Sequence, residues 1–290
     1  MAVTDNTIFQ KNKDDLPAGL QQKKQDFPWW MVVVGIVILT TFFLIQFNPD
    51  FNDAFMVIKA GLSITISTTI VAYTVALLIG LLVGLGRVSE SKFCRNVATI
   101  YVEIVRGVPL LVLIFFIALV LIPAVTNLVS SLGIFLMKNG LEEVGSKLAV
   151  IDTRSVSMNS RAIISLAITY GAFLAEIFRA GIQSINKGQM EAARSQGMNH
   201  WQAMRHVILP QAVRNIFPAL GNDLISMLKD SSLVSILAVR DITQIARLYT
   251  GHSFKFAEAY TILCVLYLTL TLLLSFLLKL IERKIGNDNK

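Results

Sequence analysis

The chain has 290 residues, of which 54% are hydrophobic and 16% are charged, and its formal net charge is +7. A soluble globular domain carries about 25% charged residues, so this composition excludes an ordinary soluble protein. The positive charge does not require a nucleic-acid partner, because the Lys and Arg residues follow the distribution expected of a membrane protein.

The first predicted element is a transmembrane helix preceded by a polar tail. Residues 1–28 mix lysines with aspartates and are expected to form a solvated cytoplasmic tail. They do not resemble a signal peptide, since the apolar run that follows is too long and has no small-residue cleavage site. Trp29 and Trp30 open that run, as aromatic residues do at a membrane interface. Residues 29–54 are therefore predicted to be an additional N-terminal transmembrane helix and its loop.

Five further stretches can cross a bilayer, for which about 20 apolar residues are needed. Uncharged runs of 27, 31 and 20 residues lie between Lys59 and Arg87, between Arg106 and Lys138, and between Glu258 and Lys279. Two more segments, near 161–186 and 206–239, are mostly apolar but contain isolated charges. The sequence thus predicts an all-α integral membrane protein with six transmembrane helices.

The second span carries a stripe of small side chains. They recur every four residues and so share one helix face: Thr68, Ala72, Ala76, Gly80 and Gly84. Such stripes allow two helices to approach closely in lipid. Packing within the chain is the favoured interpretation, with a subunit interface or a substrate path as alternatives.

The third span begins and ends with unusual features. Arg106 stands beside a predicted helix break at Pro109. Arg106 is expected to hold carbonyls or lipid headgroups at the membrane boundary, and the alternative is a gate at the inner mouth. Residues 127–160 are predicted to be an extracytoplasmic insertion of short amphipathic helices, with Gly133 and Gly140 interrupting its apolar pattern.

Charged residues also lie inside the fourth and fifth spans. Asp223, Ser226 and Asp230 share a helix face and Lys229 flanks it. An ionisable group at the centre of a span costs about 2.5–3.5 kcal/mol on insertion scales, so these groups require an explanation. The stripe could line a water-filled cavity and bind the ammonium and carboxylate of a zwitterionic solute. Alternatively, its charges could pair with other helices.

The fourth span offers two possible partners for those charges. Glu176 and Arg179 are three residues apart, so they are neighbours on a helix surface. For these two residues a structural ion pair is the favoured interpretation.

A polar segment, residues 188–210, lies between the fourth and fifth spans, and we call it the EAA segment. It contains Glu191-Ala192-Ala193, then Gly197, and closes with Leu209-Pro210. This pattern resembles the EAA loop of ABC importer permeases. Similarity to permeases of the polar amino acid uptake family extends over about residues 55–285. It is carried by Gly61-Leu62-Ser63-Ile64-Thr65, Tyr101–Leu111, Ala175–Gly181, Pro210-Gln211-Ala212 and Lys229-Asp230-Ser231-Ser232-Leu233.

The resemblance implies a five-helix type I permease core, here residues 55–285, with one extra N-terminal span. It also implies two permeases in the membrane, an ABC ATPase dimer and an extracytoplasmic amino-acid-binding protein. The EAA segment would be a cytoplasmic coupling helix. Whether the second permease is identical or homologous stays open, as does the identity of the amino acids.

This chain is not expected to hydrolyse ATP itself. A P-loop ends in Gly-Lys-Ser/Thr, and the sequence contains no Gly-Lys pair. ATP and Mg are expected to bind the partner ATPases, and no cofactor or metal is expected in this chain. An intramembrane enzyme is disfavoured because its three histidines form no metal-binding motif. An ion-coupled secondary transporter would not explain the EAA segment.

The distribution of Lys and Arg predicts the orientation. Segments on the EAA side of a six-span topology hold fifteen of these residues, and those on the opposite side hold six. Because cytoplasmic segments carry the excess, both termini, including the tail 286–290, and the EAA segment are predicted to face the cytoplasm. The resemblance implies that the membrane is a bacterial inner membrane.

The function that the resemblance implies is ATP-driven import of polar L-amino acids by alternating access. The residues predicted to couple to the ATPase are Glu191, Ala192, Ala193, Arg194, Gly197, Leu209 and Pro210. The candidates for the substrate path are Thr65, Glu176, Asp223, Ser226, Lys229, Asp230 and Ser232, and those for a structural or gating role are Arg106, Pro109 and Arg179.

Overall fold

The computed structural model describes residues 29–287, which are almost entirely helical. The first helices are α1 (Trp29–Phe47), α2 (Pro49–Ile58), α3 (Leu62–Arg87), α4 (Lys92–Gly107), α5 (Leu110–Phe116), α6 (Ile122–Lys138) and α7 (Glu142–Ala149). They are followed by α8 (Met158–Gln183), α9 (Lys187–Ser195), α10 (His200–Ala203), α11 (Leu209–Asp230), α12 (Ile242–Ser253) and α13 (Phe256–Asn287). The tail predicted over residues 1–28 lies outside the described residues.

Within the described part of the chain, five helical runs are long and apolar enough to cross a membrane. They are Trp29–Phe47, Pro49–Arg87, Leu110–Lys138, Met158–Gln183 and Phe256–Lys284. The remaining predicted span corresponds to α11, which has 22 residues but carries four charges. Every stretch predicted to span the membrane is therefore helical, and α11 is the polar one.

Helix α8 packs against α3, α4, α5 and α11 and occupies the centre of these helices. Its closest neighbour is α3, whose small residues face it: a Cβ atom built on Gly80 would lie 2.6 Å from Cβ of Leu174. On Gly84 it would lie 2.8 Å from Cβ of Phe178. The small-residue stripe thus packs within the chain, which confirms the favoured interpretation.

Gly80→Ala is expected to lower stability by about 1–3 kcal/mol, because the added methyl group forces α3 away from α8. The measurement is the temperature at which the detergent-solubilised chain loses its monodisperse elution peak. Gly251→Ala on α12 is the matched control, since its Cβ would meet no atom within 4 Å. Equal stability of the two variants would contradict the close α3–α8 contact.

Two proline residues are accommodated by π-helical turns. The turn Ile117–Leu121 precedes Pro123 in α6, and the turn Met204–Ile208 precedes Pro210 in α11. Proline cannot donate the usual backbone hydrogen bond, and its ring clashes with the carbonyl four residues earlier. The wider turn lets each helix continue through its proline.

The region predicted as the insertion 127–160 differs from the expectation at its start. Residues 127–138 belong to α6, so the third helical run continues to Lys138. Residues 127–138 therefore form no separate short helix, and α7 is the short α-helix within the predicted insertion. The short helix α7 then packs back on α6, where a Cβ on Gly133 would lie 2.3 Å from the backbone nitrogen of Ala149.

A buried arginine, which the sequence analysis missed, joins this region to α8. Arg161 is only 6% exposed, and its guanidinium donates hydrogen bonds to three backbone carbonyls. The acceptors are Val156 at 3.0 Å, Ala118 at 3.3 Å and Thr153. Ala118 lies in the first π-helical turn, and Thr153 and Val156 lie in the segment before α8. Arg161 therefore connects both of these regions to the start of α8 by hydrogen bonds.

Candidate functional site

The EAA segment begins with helix α9 and a glycine-terminated cap. Asn186 accepts a hydrogen bond from the backbone N–H of Gly188 and thereby caps the start of α9. At the other end Gly197 has φ +82°, a left-handed conformation that favours glycine. The N–H of Met198 bonds the carbonyl of Ala193 at 3.2 Å, which completes a Schellman-type cap. The stretch from Glu191 to Gly197 therefore covers the second half of this short helix and its cap.

The second half of the EAA segment is helical as well. Asn199 and Gln202 form a capping box at the start of α10. From there the helix runs without interruption through the second π-helical turn into α11. Leu209-Pro210, which closes the EAA segment, therefore lies within a continuous helix, because the π-helical turn accommodates Pro210.

One face of the EAA segment is anchored to the helix bundle. Met204 and Ile208 are buried together with Ile182 at the end of α8 and with Ala212 of α11. Leu85 and Val88 at the end of α3, together with other partly buried side chains, pack against this cluster. The inner face of the EAA segment therefore packs on the ends of α3, α8 and α11.

The opposite face of the EAA segment is exposed. Glu191, Ala192 and Arg194 are exposed on α9, whereas Ala193 is only 4% exposed and faces the bundle. Trp201 on α10 is 62% exposed. Among the described residues no ion pair engages Glu191 or Arg194, so both charges are available to a partner.

A cluster of arginines surrounds Glu176 at the same end of the bundle. Arg87, the last residue of α3, lies 2.6 Å from the Glu176 carboxylate, and Arg179 also pairs with it. Arg106 at the end of α4 lies 3.9 Å away and stands over the ring of Phe173. The predicted pairing of Glu176 with Arg179 is confirmed, but neither residue pairs with Lys229 or Asp230.

The break after Arg106 is present as predicted. Helix α4 ends at Gly107 and α5 begins at Leu110. Pro109, whose backbone is extended, directly precedes α5. The amphipathic helix α4 itself was not anticipated. It brings Arg106, and also Glu103 at 3.6 Å from Arg87, to the arginine cluster.

The two aspartates of α11 face tyrosines on neighbouring helices. Tyr170 of α8 donates a hydrogen bond of 2.7 Å to Asp230. Tyr73 of α3 donates one of 2.6 Å to the carbonyl of Leu220, one turn before Asp223. The Oδ2 atom of Asp223 is buried and has no hydrogen-bond partner in the described part of the chain. This inner polar face can accept hydrogen bonds or a cation.

Helix α11 also has an exposed polar face, which the sequence analysis did not identify. Asn215, Asn222 and Lys229 are spaced by seven residues and are exposed, and Pro218 lies on the same side. Lys229 forms no ion pair with any other residue in 29–287. The predicted stripe is thus divided: Asp223 and Asp230 face inward, whereas Lys229 faces out of this chain.

Three further predicted residues have defined positions. Thr65 is completely buried, and its hydroxyl donates to the carbonyl of Gly61 and accepts the N–H of Ile242 at 3.2 Å. Thr65 therefore holds the start of α12 against α3. Ser226 is half-buried on α11, and Ser232 is half-buried in the 3₁₀ segment that follows.

Comparisons with known proteins agree with this architecture. The family model described as binding-protein-dependent transport system inner membrane component matches residues 76–287. The chain is 34% identical over 199 residues to the probable glutamine ABC transporter permease protein GlnM of Bacillus subtilis, covering 69% of this chain and 79% of that protein. Against the glutamine transport system permease protein GlnP of Escherichia coli (strain K12), identity is 31% over 189 residues, covering 65% and 74%.

A solved structure is similar over nearly the whole helical region. A crystal structure of an amino acid ABC transporter with histidines superposes with a TM-score of 0.62 at 36% sequence identity. The superposition covers 83% of this chain and 96% of that chain. The residues before the second predicted span lie entirely outside the matched family region, which begins at residue 76.

Proposed function

This chain belongs to the binding-protein-dependent transport system inner membrane component family and is a permease subunit of an amino-acid ABC importer; from that premise we propose that it carries polar L-amino acids by ATP-driven alternating access. Two permeases, identical or homologous, would enclose the path in the bacterial inner membrane. Two ATPase subunits would bind ATP and Mg on the cytoplasmic side, and a binding protein would deliver the amino acid outside.

The observation that carries this proposal is the two-sided EAA segment. Its inner face is packed on the ends of α3, α8 and α11, while Glu191, Ala192 and Arg194 remain exposed on its outer face. A rigid element anchored on one side and exposed on the other can transmit the movement of a partner to the bundle. The excess of Lys and Arg on this side supports a cytoplasmic location for the segment and for both termini.

We assign the translocation path to the exposed polar face of α11. Polar and charged side chains at membrane depth avoid lipid and face a protein interior or a water-filled cavity. Asn215, Asn222 and Lys229 therefore face the second permease subunit and the path between the two copies. Lys229 would attract the carboxylate of the amino acid, and the inward Asp230 would contribute negative charge close to its ammonium group.

The remaining candidates have structural roles in this proposal. Glu176 is surrounded by arginines and joins α3, α4 and α8, so it is an anchor at the cytoplasmic end of the bundle. Arg106 and Arg179 belong to the same anchor. Thr65 supports the junction of α3 and α12 and does not contact the substrate.

The role of Asp230 is tested by separating its charge from its hydrogen bond. Asp230→Asn removes the charge but keeps an oxygen that can accept the hydrogen bond from Tyr170. The apparent KM for the amino acid is expected to rise about tenfold, which is equivalent to about 1.4 kcal/mol. Tyr170→Phe removes the hydrogen bond and keeps the charge, and it is expected to change KM less. The measurement is substrate uptake by proteoliposomes that contain the complete transporter. A larger rise in KM with Tyr170→Phe than with Asp230→Asn would show that Asp230 acts through its hydrogen bond to Tyr170 and only supports the packing of α8 and α11.

The complete function is tested by reconstitution. The permease is combined with its ATPase and binding protein in proteoliposomes, and amino acids are screened for stimulation of ATP hydrolysis. Stimulation by one or more polar amino acids is the expected result. Full uptake by the permease alone would instead indicate an ion-coupled secondary transporter.

A further inference from the structure

A groove of about 590 Å³ lies between the EAA segment and the ends of α3, α4 and α8. Its volume is within the range of small-molecule sites, about 300–1,000 Å³. Its floor is apolar and includes Ile182, Met204 and Ile208. Its rim is polar and includes Arg87, Arg95 and Lys187, and none of the residues lining the groove carries a carboxylate.

Two of the three cations on the rim are not neutralised by any residue that the structure describes. Arg87 is engaged by Glu176, but Arg95 and Lys187 are exposed and form no ion pair within residues 29–287. Glu90, which lies before Arg95 in the chain, is oriented toward His200 at 3.8 Å. Glu191, one helical turn after Lys187 on α9, forms no ion pair with Lys187. The side chains of Arg95 and Lys187 are therefore unpaired cations at the rim of a groove whose floor is apolar.

We propose that this groove binds the headgroup phosphate of an anionic phospholipid, with the start of an acyl chain on the apolar floor. Basic pockets between helices on the cytoplasmic side of a membrane suit such headgroups. A free phosphate would satisfy Arg95 and Lys187 equally well but would leave the apolar floor uncovered. The combination of charge and apolar surface favours the lipid.

Occupancy would affect the EAA segment directly. Met190, Met204 and Ile208 belong to that segment and line the groove, so a bound lipid touches its inner face. The lipid would fill the space between the segment and the bundle and hold the two together. This consequence depends on the proposed coupling function, whereas the binding of lipid does not.

The test uses the full-length chain in detergent micelles, with phosphatidylglycerol or phosphatidylcholine added, and counts retained lipids by native mass spectrometry. The double variant Arg95→Gln, Lys187→Gln is expected to retain phosphatidylglycerol roughly tenfold less well, since each cation near the membrane surface contributes to binding an anionic lipid. The charge-conserving variant Arg95→Lys, Lys187→Arg is expected to retain it normally. Phosphatidylcholine should be retained weakly by all forms.

A matched control removes two other exposed cations, Lys92 and Lys279, by the same change to Gln. Equal retention by both double variants would overturn the proposal. So would an increase in thermal stability with inorganic phosphate alone, without retention of phosphatidylglycerol, because the groove would then take a soluble anion. The assay contains neither ATPase nor nucleotide, so its failure is distinguishable from failure of the coupling function.

Discussion

Glu191→Lys is expected to reduce amino-acid uptake by more than tenfold while leaving the permease folded and inserted. The carboxylate of Glu191 is exposed and unpaired among the described residues, so the fold does not depend on it. In the proposed complex it faces the ATPase, and losing one member of a buried interfacial charge pair costs about 2–5 kcal/mol. Reversal of the charge adds repulsion, so the ATPase should no longer seat on the EAA segment.

The measurement is twofold: uptake by the reconstituted transporter, and co-purification of the ATPase with the permease. Glu142→Lys on α7 makes the same change of charge at an exposed position in the first turn of a helix on another part of the chain. That control should transport normally. If Glu191→Lys transports at the wild-type rate, the EAA segment is not the coupling element.

The sequence predicted the helices well where a single physical rule controls them. Long uncharged runs predicted the spans because a helix in lipid must bury its own backbone hydrogen bonds. The four-residue spacing from Thr68 to Gly84 predicted the α3 face that meets α8, since only small residues allow that distance. Gly197, with φ +82°, ends α9 in the left-handed conformation that glycine adopts most easily.

The predictions failed where several elements act together. The prolines themselves do not show whether a helix ends or continues, and here π-helical turns before Pro123 and Pro210 let both helices continue. Spacing along α11 placed Asp223, Ser226 and Asp230 on one face. The spacing could not show that Tyr73 of α3 and Tyr170 of α8 donate hydrogen bonds to this part of α11. Nor could it show that Asn215 and Asn222 are exposed on a different face of α11.

The arginine cluster illustrates the same limit. Glu176 and Arg179 are three residues apart, so their pairing follows from helix geometry alone. Arg87 is 89 residues away along the chain and reaches Glu176 only because α3 and α8 pack closely through Gly80 and Gly84. The local pair was therefore predictable, whereas the anchor that joins three helices depends on the tertiary fold.

Arg161 is the residue whose role was least accessible from sequence, and its replacement is expected to have the largest effect on stability. Arg161→Met leaves three backbone carbonyls without their donor: the buried one of Ala118 and the partly buried ones of Thr153 and Val156. An unsatisfied buried polar group costs about 1–3 kcal/mol, so the loss should reach about 3 kcal/mol or more. The π-helical turn and the segment before α8 would lose their connection to α8.

Thermal unfolding in detergent, followed by the loss of the monodisperse elution peak, measures this effect. Arg154→Met is the matched control, because Arg154 is exposed on the same connecting segment. Arg161→Lys keeps the positive charge but replaces the planar guanidinium by a single ammonium group, which cannot reach three separated carbonyls in the same geometry. The melting temperature of Arg161→Lys should therefore lie between those of the wild type and Arg161→Met. A melting temperature for Arg161→Met equal to that of Arg154→Met would show that the three carbonyls find other donors and that Arg161 does not hold the turn to α8.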